Sequence, residues 1–252
     1  MAGLGAGTLG VGTHPEPDLN APYFADALAG LREALPEWAI RVNPAERVDA
    51  WVLLAPAARP GGIPPETPVI VVNGAFPGWP SLDVDNAAAA ADMTDFLWSR
   101  GHRRIAFVGG KREMANARER ERGFRDALAR RGIEPAGVWD GRFDRASGRA
   151  ALEAWGAAPP TAVFAANDHM ALGAWDVARA RGWTVAVAGF DDIPEAAAAG
   201  LTTVRVPVRA LARRAGGWAA LWRRAGRGAV PDREILGTER VERKSTGFCP
   251  KE

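Results

Sequence analysis

The sequence predicts an α/β fold built on two mostly parallel sheets flanked by helices. Three observations predict it. Short apolar strands alternate with helical stretches of about ten to fifteen residues, the pattern of βαβ units with helices on both sheet faces. More than eight such strands fall within 252 residues, which suits two sheets better than one. A Pro/Gly-rich stretch, GAFPGWP at 74–80, lies where a first sheet would hand over to a second.

The elements follow in order. TLGVGT (8–13) reads as a strand, and a proline-bearing loop leads to a helix over 22–35. Strands are expected at 38–42, 48–55 and 68–73, all short apolar runs. The Ala-rich stretch 86–100 reads as a helix, with Asp85 placed to cap its free N–H groups. RIAFVG (104–109) is a buried strand leading to a helix at 117–131. Strand and helix then alternate: strand 137–143, helix 146–156, strand 162–166, helix 169–181, strand 185–190. A short helix at 194–199, a strand at 202–206, a long helix at 207–226 and a last strand over 235–243 complete the chain. In the long helix Leu211, Ala215, Trp218 and Trp222 form a stripe that reads as sheet packing, with its arginines facing water.

Composition narrows the function classes. With 47% hydrophobic and 25% charged residues the chain is an ordinary globular one. No apolar run is long enough to span a membrane, and the N-terminus has no basic region ahead of an apolar stretch. A single cysteine, Cys249, excludes an internal disulfide and cysteine-type metal fingers. A cytoplasmic protein is expected. The net charge of +2 is too small for a nucleic-acid footprint spread over the surface.

Ligands of open parallel sheets sit outside the carboxyl ends of the strands. Those ends carry Tyr23 and Phe24, then Asn116, Arg118 and Arg120, then Phe143, Asn167-Asp168 and Asp191-Asp192. Amides, carboxylates and guanidinium forks bind vicinal hydroxyls, and aromatic rings cover the C–H face of a sugar. Each residue alone also has a plainer reading. Tyr23 or Phe24 suits core packing, Asn167-Asp168 suits a helix cap, and the arginines of RERER (118–122) suit a solvated helix face. Their shared location is what points to a polar ligand.

GHRRIAFVGG (101–110), RERGFRDAL (120–128), TAVFAANDHMALG (161–173), GFDD (189–192), LTTV (201–204) and RKST (243–246) together resemble the LacI/GalR family of transcriptional regulators. RVDA (47–50), PVIVV (68–72) and VDN (84–86) fit the same family, so the resemblance runs from about residue 8 to 247. It implies a two-lobed periplasmic-binding-protein-like fold of type I. One lobe would be 8–84 plus 206–238, the other 85–205 plus 239–249, after a flexible lead-in at 1–7. It also implies an effector, a sugar or similar metabolite, held in the cleft by Arg120 and Asp191. Asn116 and Asn167 would add polar contacts, Phe143 would stack, and Tyr23-Phe24 would contribute from the other lobe. A homodimer is expected, reaching operator DNA only through a helix-turn-helix head that this chain lacks.

Two further departures from the family pattern matter. The first lobe is short, because IRV passes through NPAE (43–46) straight into RVD, leaving no room for a helix there. The loop before VAVAGF is clipped to GWT (182–184).

No cofactor, metal, membrane contact or catalytic constellation is expected. GAGTLG (5–10) matches a dinucleotide fingerprint in letters, but a strand follows it where a helix is needed. His14, His102 and His169 lack metal-ligand spacing. A stand-alone solute-binding protein and a Rossmann-like enzyme are the rival readings. The first would call for an export signal, the second for a catalytic pair.

Overall fold

The computed structural model describes residues 6–13, 22–156 and 158–247. The lead-in before residue 6, His14 and Cys249 lie outside the described residues. The chain divides into two compact units, Met1–Val84 with Pro207–Gly237, and Asp85–Val206 with Thr238–Glu252. It passes between them three times, at 84–85, 206–207 and 237–238.

The first unit holds β1 (Thr8–Gly12), α1 (Pro22–Ala34), β2 (Ala39–Val42), β3 (Ala50–Leu54), β4 (Val69–Val72) and β5 (Ser81–Val84). The second opens with α2 (Asn86–Ser99), β6 (Ile105–Gly109), α3 (Ala115–Ala129), β7 (Gly137–Asp140) and α4 (Arg145–Glu153). It continues with β8 (Ala162–Ala165), α5 (Asp168–Ala180), β9 (Ala186–Ala188), α6 (Pro194–Ala199) and β10 (Thr203–Arg205). The chain then returns to the first unit as α7 (Val208–Ala225) and β11 (Arg233–Leu236), and ends in the second with β12 (Glu239–Val241).

Unit 1 is a six-stranded sheet in the order β11-β5-β4-β3-β1-β2, parallel at every pairing. Helices α1 and α7 pack together, and α7 lies against β3, β4 and β5. Of the expected stripe on α7, Leu211, Ala215 and Trp218 are buried and Trp222 is half-buried, while Arg213, Arg214, Arg223 and Arg224 are exposed. The other face of this sheet is covered by loops. Residues 43–49, 55–68 and 73–80 join successive strands without a helix. Leu53, Val69 and Val71 are therefore shielded by Trp51, Ile63, Phe76 and Trp79. The Trp51 indole lies flat over β1, opposite Gly10, where a Cβ would come within 2.8 Å of the ring.

Unit 2 has a four-stranded parallel sheet, β7-β6-β8-β9, and an antiparallel pair β10-β12. Its core stacks Phe107 on Phe124 at 4.9 Å with Phe164 edge-on at 5.4 Å. Each such ring contributes about 1.5–3 kcal/mol by leaving water. Side chains cap α2 and α4: Asp85 accepts from Ala88 N at 2.8 Å, and Asp144 from Ser147 N at 2.7 Å.

Two sequence expectations need correction. Residues 235–243 are not one strand but β11 and β12, broken at Gly237-Thr238, and the halves belong to different units. SLDV (81–84) is a strand that the sequence reading passed over, because Ser81 and Asp83 interrupt its apolar run. Both polar side chains are nonetheless buried.

Candidate functional site

The carboxyl ends of the unit 2 strands draw one cluster of polar side chains together. Arg120 lies one turn after Asn116 on α3, so the two share a helix face. The Arg120 side chain is only 4% exposed, so its charge must be met by partners. Its Nε donates to Asn86 Oδ1 at 2.8 Å, and Nη1 donates to the Ala166 carbonyl at 2.6 Å. Nη1 also reaches Asp191 Oδ1 at 3.4 Å, and the guanidinium carbon stacks 3.7 Å from the centre of the Phe190 ring. The guanidinium is thus held by the residue after β8, by α2 and by the segment after β9.

Asp191 follows β9 with φ of 119° and Asp192 has φ of 62°. Both lie where side-chain-bearing residues are strained by about 1–3 kcal/mol. The Asp191 side chain is 19% exposed. Burial pushes its carboxyl up to about 6, against the opposing pull of Arg120. Asp168, the first residue of α5, is completely buried. It accepts from Thr203 Oγ1 at 2.6 Å and from Ile193 N at 3.0 Å. Burial, and then the neighbouring Asp191 charge, hold Asp168 well above the usual carboxylate range.

Asn167 performs the capping role its sequence position allows. Its Oδ1 accepts from Met170 N at 3.0 Å, while Nδ2 donates to the Phe143 carbonyl at 3.0 Å. The cap therefore ties the end of β8 to the loop after β7. Phe143 has φ of 65°, and its half-buried ring covers Gly110 so closely that any Cβ there would overlap it. Asn116 is 7% exposed and its Oδ1 has no hydrogen-bond partner among the described residues. A buried acceptor left this way is a place where a ligand hydroxyl would gain a bond.

The expected residues separate into those the fold brings together and those it does not. Hydrogen bonds pair Arg120 with Asp191 and Asn167 with Phe143; Arg120 also bonds the carbonyl of Ala166, next in sequence to Asn167, and Asn116 shares the helix face of Arg120. Arg118 points elsewhere: it is exposed, and its Nη1 donates to the Arg112 carbonyl at 2.7 Å. In unit 1, Tyr23 is half-buried and its hydroxyl accepts from Asn73 Nδ2 at 2.7 Å. Phe24 is 4% exposed among the core residues of that unit. Arg118 is thus engaged by the Arg112 carbonyl and Phe24 by the core of its own unit.

The sequence reading missed Asn73, Asn86, Phe190 and Thr203 as members of these clusters. Asn73 follows β4 directly and has φ of 55°, a conformation Asn tolerates. Asn86 is a polar residue in the first turn of α2 that is 1% exposed, which only tertiary structure reveals.

The model of the periplasmic binding protein-like domain matches residues 94–246, more than half of the chain. The chain belongs to this family. Among curated relatives, the transcriptional repressor CytR of Escherichia coli K12 is 34% identical over 160 residues, 59% of this chain and 47% of its own. The regulator CelR of Thermobifida fusca is 39% identical over 142 residues, 52% of this chain and 42% of its own. The chain thus spans about half the length of the curated relatives it matches. These relatives are LacI/GalR-type transcriptional regulators, not enzymes. A solved complex of the regulator CelR with cellobiose superposes with a TM-score of 0.80 at 27% identity, covering 94% of this chain and 84% of that one. The periplasmic binding protein-like family and the α/β fold expected from the sequence are therefore established. No helix among the described residues is long and apolar enough to cross a membrane.

Proposed function

We propose that this chain is the effector-sensing part of a LacI-type transcriptional regulator. A sugar or related small polar metabolite binds in the cleft between the two units. It favours one closure state and so shifts the population of conformers. In a cytoplasmic homodimer that shift changes operator affinity through a helix-turn-helix head outside this chain. The chain itself catalyses nothing in this reading. The solved CelR–cellobiose complex supports a saccharide as the effector class.

One observation carries the proposal: Arg120 and Asp191 form a buried, oriented donor–acceptor pair beside the unpaired Asn116 Oδ1. An effector with adjacent hydroxyls would donate to the Asp191 carboxylate and to Asn116, and accept from the guanidinium. Phe143 would lie on the C–H face of the ring, Asn167 would hold the Phe143 loop, and Tyr23 would close from unit 1.

Calorimetric titration with cellobiose and a panel of neutral mono- and disaccharides tests this. At least one sugar is expected to bind, and Asp191→Ala to weaken it at least about a hundredfold while the melt stays cooperative. No binding across the panel, or unchanged affinity in Asp191→Ala, overturns the reading.

A further inference from the structure

Asp192 does something different from its neighbour. Its side chain is 8% exposed and lies between two guanidiniums: Arg205 Nε donates to Oδ2 at 2.7 Å, and Arg243 Nη2 to Oδ1 at 2.7 Å. Arg205 reaches on to Glu239 Oε2 at 2.6 Å, its register partner across the β10–β12 pair. Arg243 Nη1 donates to the Leu201 carbonyl at 2.8 Å. The backbone of the same loop is zipped to β10, with Asp191 N on the Val204 carbonyl at 2.8 Å and Val206 N on the Asp191 carbonyl at 3.4 Å. The two arginines stand on the stretches through which the chain leaves unit 2 after Val206 and re-enters it at Thr238.

We propose that Asp192, gripped by Arg205 and Arg243, is the positioning residue of the ligand loop, tying the orientation of the Asp191 carboxylate to the two crossover segments. This deepens the effector-sensing reading and rests on it for the ligand. Two left-handed residues in a row would not hold their conformation unaided. The charge-assisted bonds at Asp192 supply that hold and place it on the segments that any hinge motion must bend. A change at the effector carboxylate then reaches the crossovers through two guanidiniums, with no change in the sheet.

Hydrogen exchange on the ligand-free chain tests the inference without a known effector. Asp192→Asn keeps the shape and removes the charge. Arg243→Lys keeps the charge but removes the two-pronged grip on Asp192 and the Leu201 carbonyl. In both, the Asp191 and Val206 amides are expected to exchange roughly ten- to a hundredfold faster, with the Phe107 and Phe164 amides unchanged. Unchanged exchange at the loop overturns the proposal, and so does equal acceleration through the sheet, which would mark a merely structural ion pair. Should Asp192→Asn fail to fold, Arg205→Met removes one guanidinium at the rim and is measured in the same way. The same fold-change is expected in the dissociation constant of a bound sugar. A wild-type chain that binds no sugar would sink the effector reading while the exchange data still decide the role of Asp192.

Discussion

The two units solve the same problem, a parallel sheet with polar residues at its strand ends, in different ways. Unit 2 encloses its sheet with helices, and its strand ends carry a network in which Arg120, Asn86, Asp191 and the Ala166 carbonyl hold one another. Unit 1 has helices α1 and α7 on one face and loops on the other, and its strand ends carry the smaller pair Tyr23–Asn73. A network of ions is rigid because every member needs its partner. A neutral phenol–amide pair can be rearranged cheaply. The charged network of unit 2 is therefore the stiffer of the two, and the Tyr23–Asn73 pair of unit 1 the easier to change.

If that contrast is right, the largest effect belongs to Arg120→Met. It leaves the Asp191 carboxylate without its cation and removes donors from Asn86 and the Ala166 carbonyl. A loss of about 3–5 kcal/mol in urea unfolding is expected, with sugar binding abolished. A loss below about 1 kcal/mol would show that the network is not what stiffens this unit.

Trp51→Ala probes the loop-covered face of unit 1. The half-buried indole lies across β1 and shields the sheet beside Leu53. Its removal is expected to cost about 1.5–3 kcal/mol. Sugar affinity should stay within about twofold, because Trp51 stands on a sheet face away from the strand ends. Gly10→Ala sharpens the point: it should destabilise the wild-type chain, where its Cβ meets the indole, and far less the Trp51→Ala chain.

The third effect is one of pH. The Asp191 carboxyl stands at about 6 in the folded chain, against 3.8 ordinarily, because burial outweighs the attraction of Arg120. The folded form therefore binds this proton more tightly than the unfolded form does. The associated stability is fully present below 3.8 and is lost as pH rises through about 6. Its slope is at most about 1.4 kcal/mol per pH unit. Urea melts across that window should show the decline, and Asp191→Asn should lessen it, leaving the part carried by buried Asp168. Ligand affinity moves the opposite way. A sugar held by the ionised carboxylate binds more tightly above about 6, so stability and affinity trade against each other at one residue.

Much of this was legible in the sequence, for reasons that can be named. The α/β class followed from apolar runs such as RIAFVG and AVFAA, which only a strand buried on both faces requires. Asp85 as a cap and the stripe on α7 followed from local chemistry. What escaped reading was tertiary. The buried polar residues of SLDV hid β5, and the chain crossing at Gly237-Thr238 hid the division of β11 from β12. At the candidate site, strand-end position pointed to Arg120 and Asp191, which a hydrogen bond pairs, but could not separate Tyr23 from Phe24. One residue of helix rotation sends Tyr23 to Asn73 and Phe24 to the core. Asn86 and Asn73 were illegible because nothing in a local pattern says which asparagine a distant side chain will meet.

The smallest expected effect is also the sharpest test of the asymmetry. Tyr23→Phe removes one hydroxyl that accepts from Asn73 Nδ2 and leaves the ring in place. Asn73 is itself buried, with its Oδ1 already unpaired and φ of 55°, so the change strips a partner from a residue that has few. Even so, the pair is neutral, and its loss should cost about 0.5–1.5 kcal/mol of stability. Sugar affinity should fall only about three- to tenfold, where Asp191→Ala loses at least about a hundredfold. A loss in Tyr23→Phe as large as that of Asp191→Ala would move the anchor into unit 1. The left-handed Asn73, rather than the strained Asp191-Asp192 turn, would then be the residue around which the site is organised.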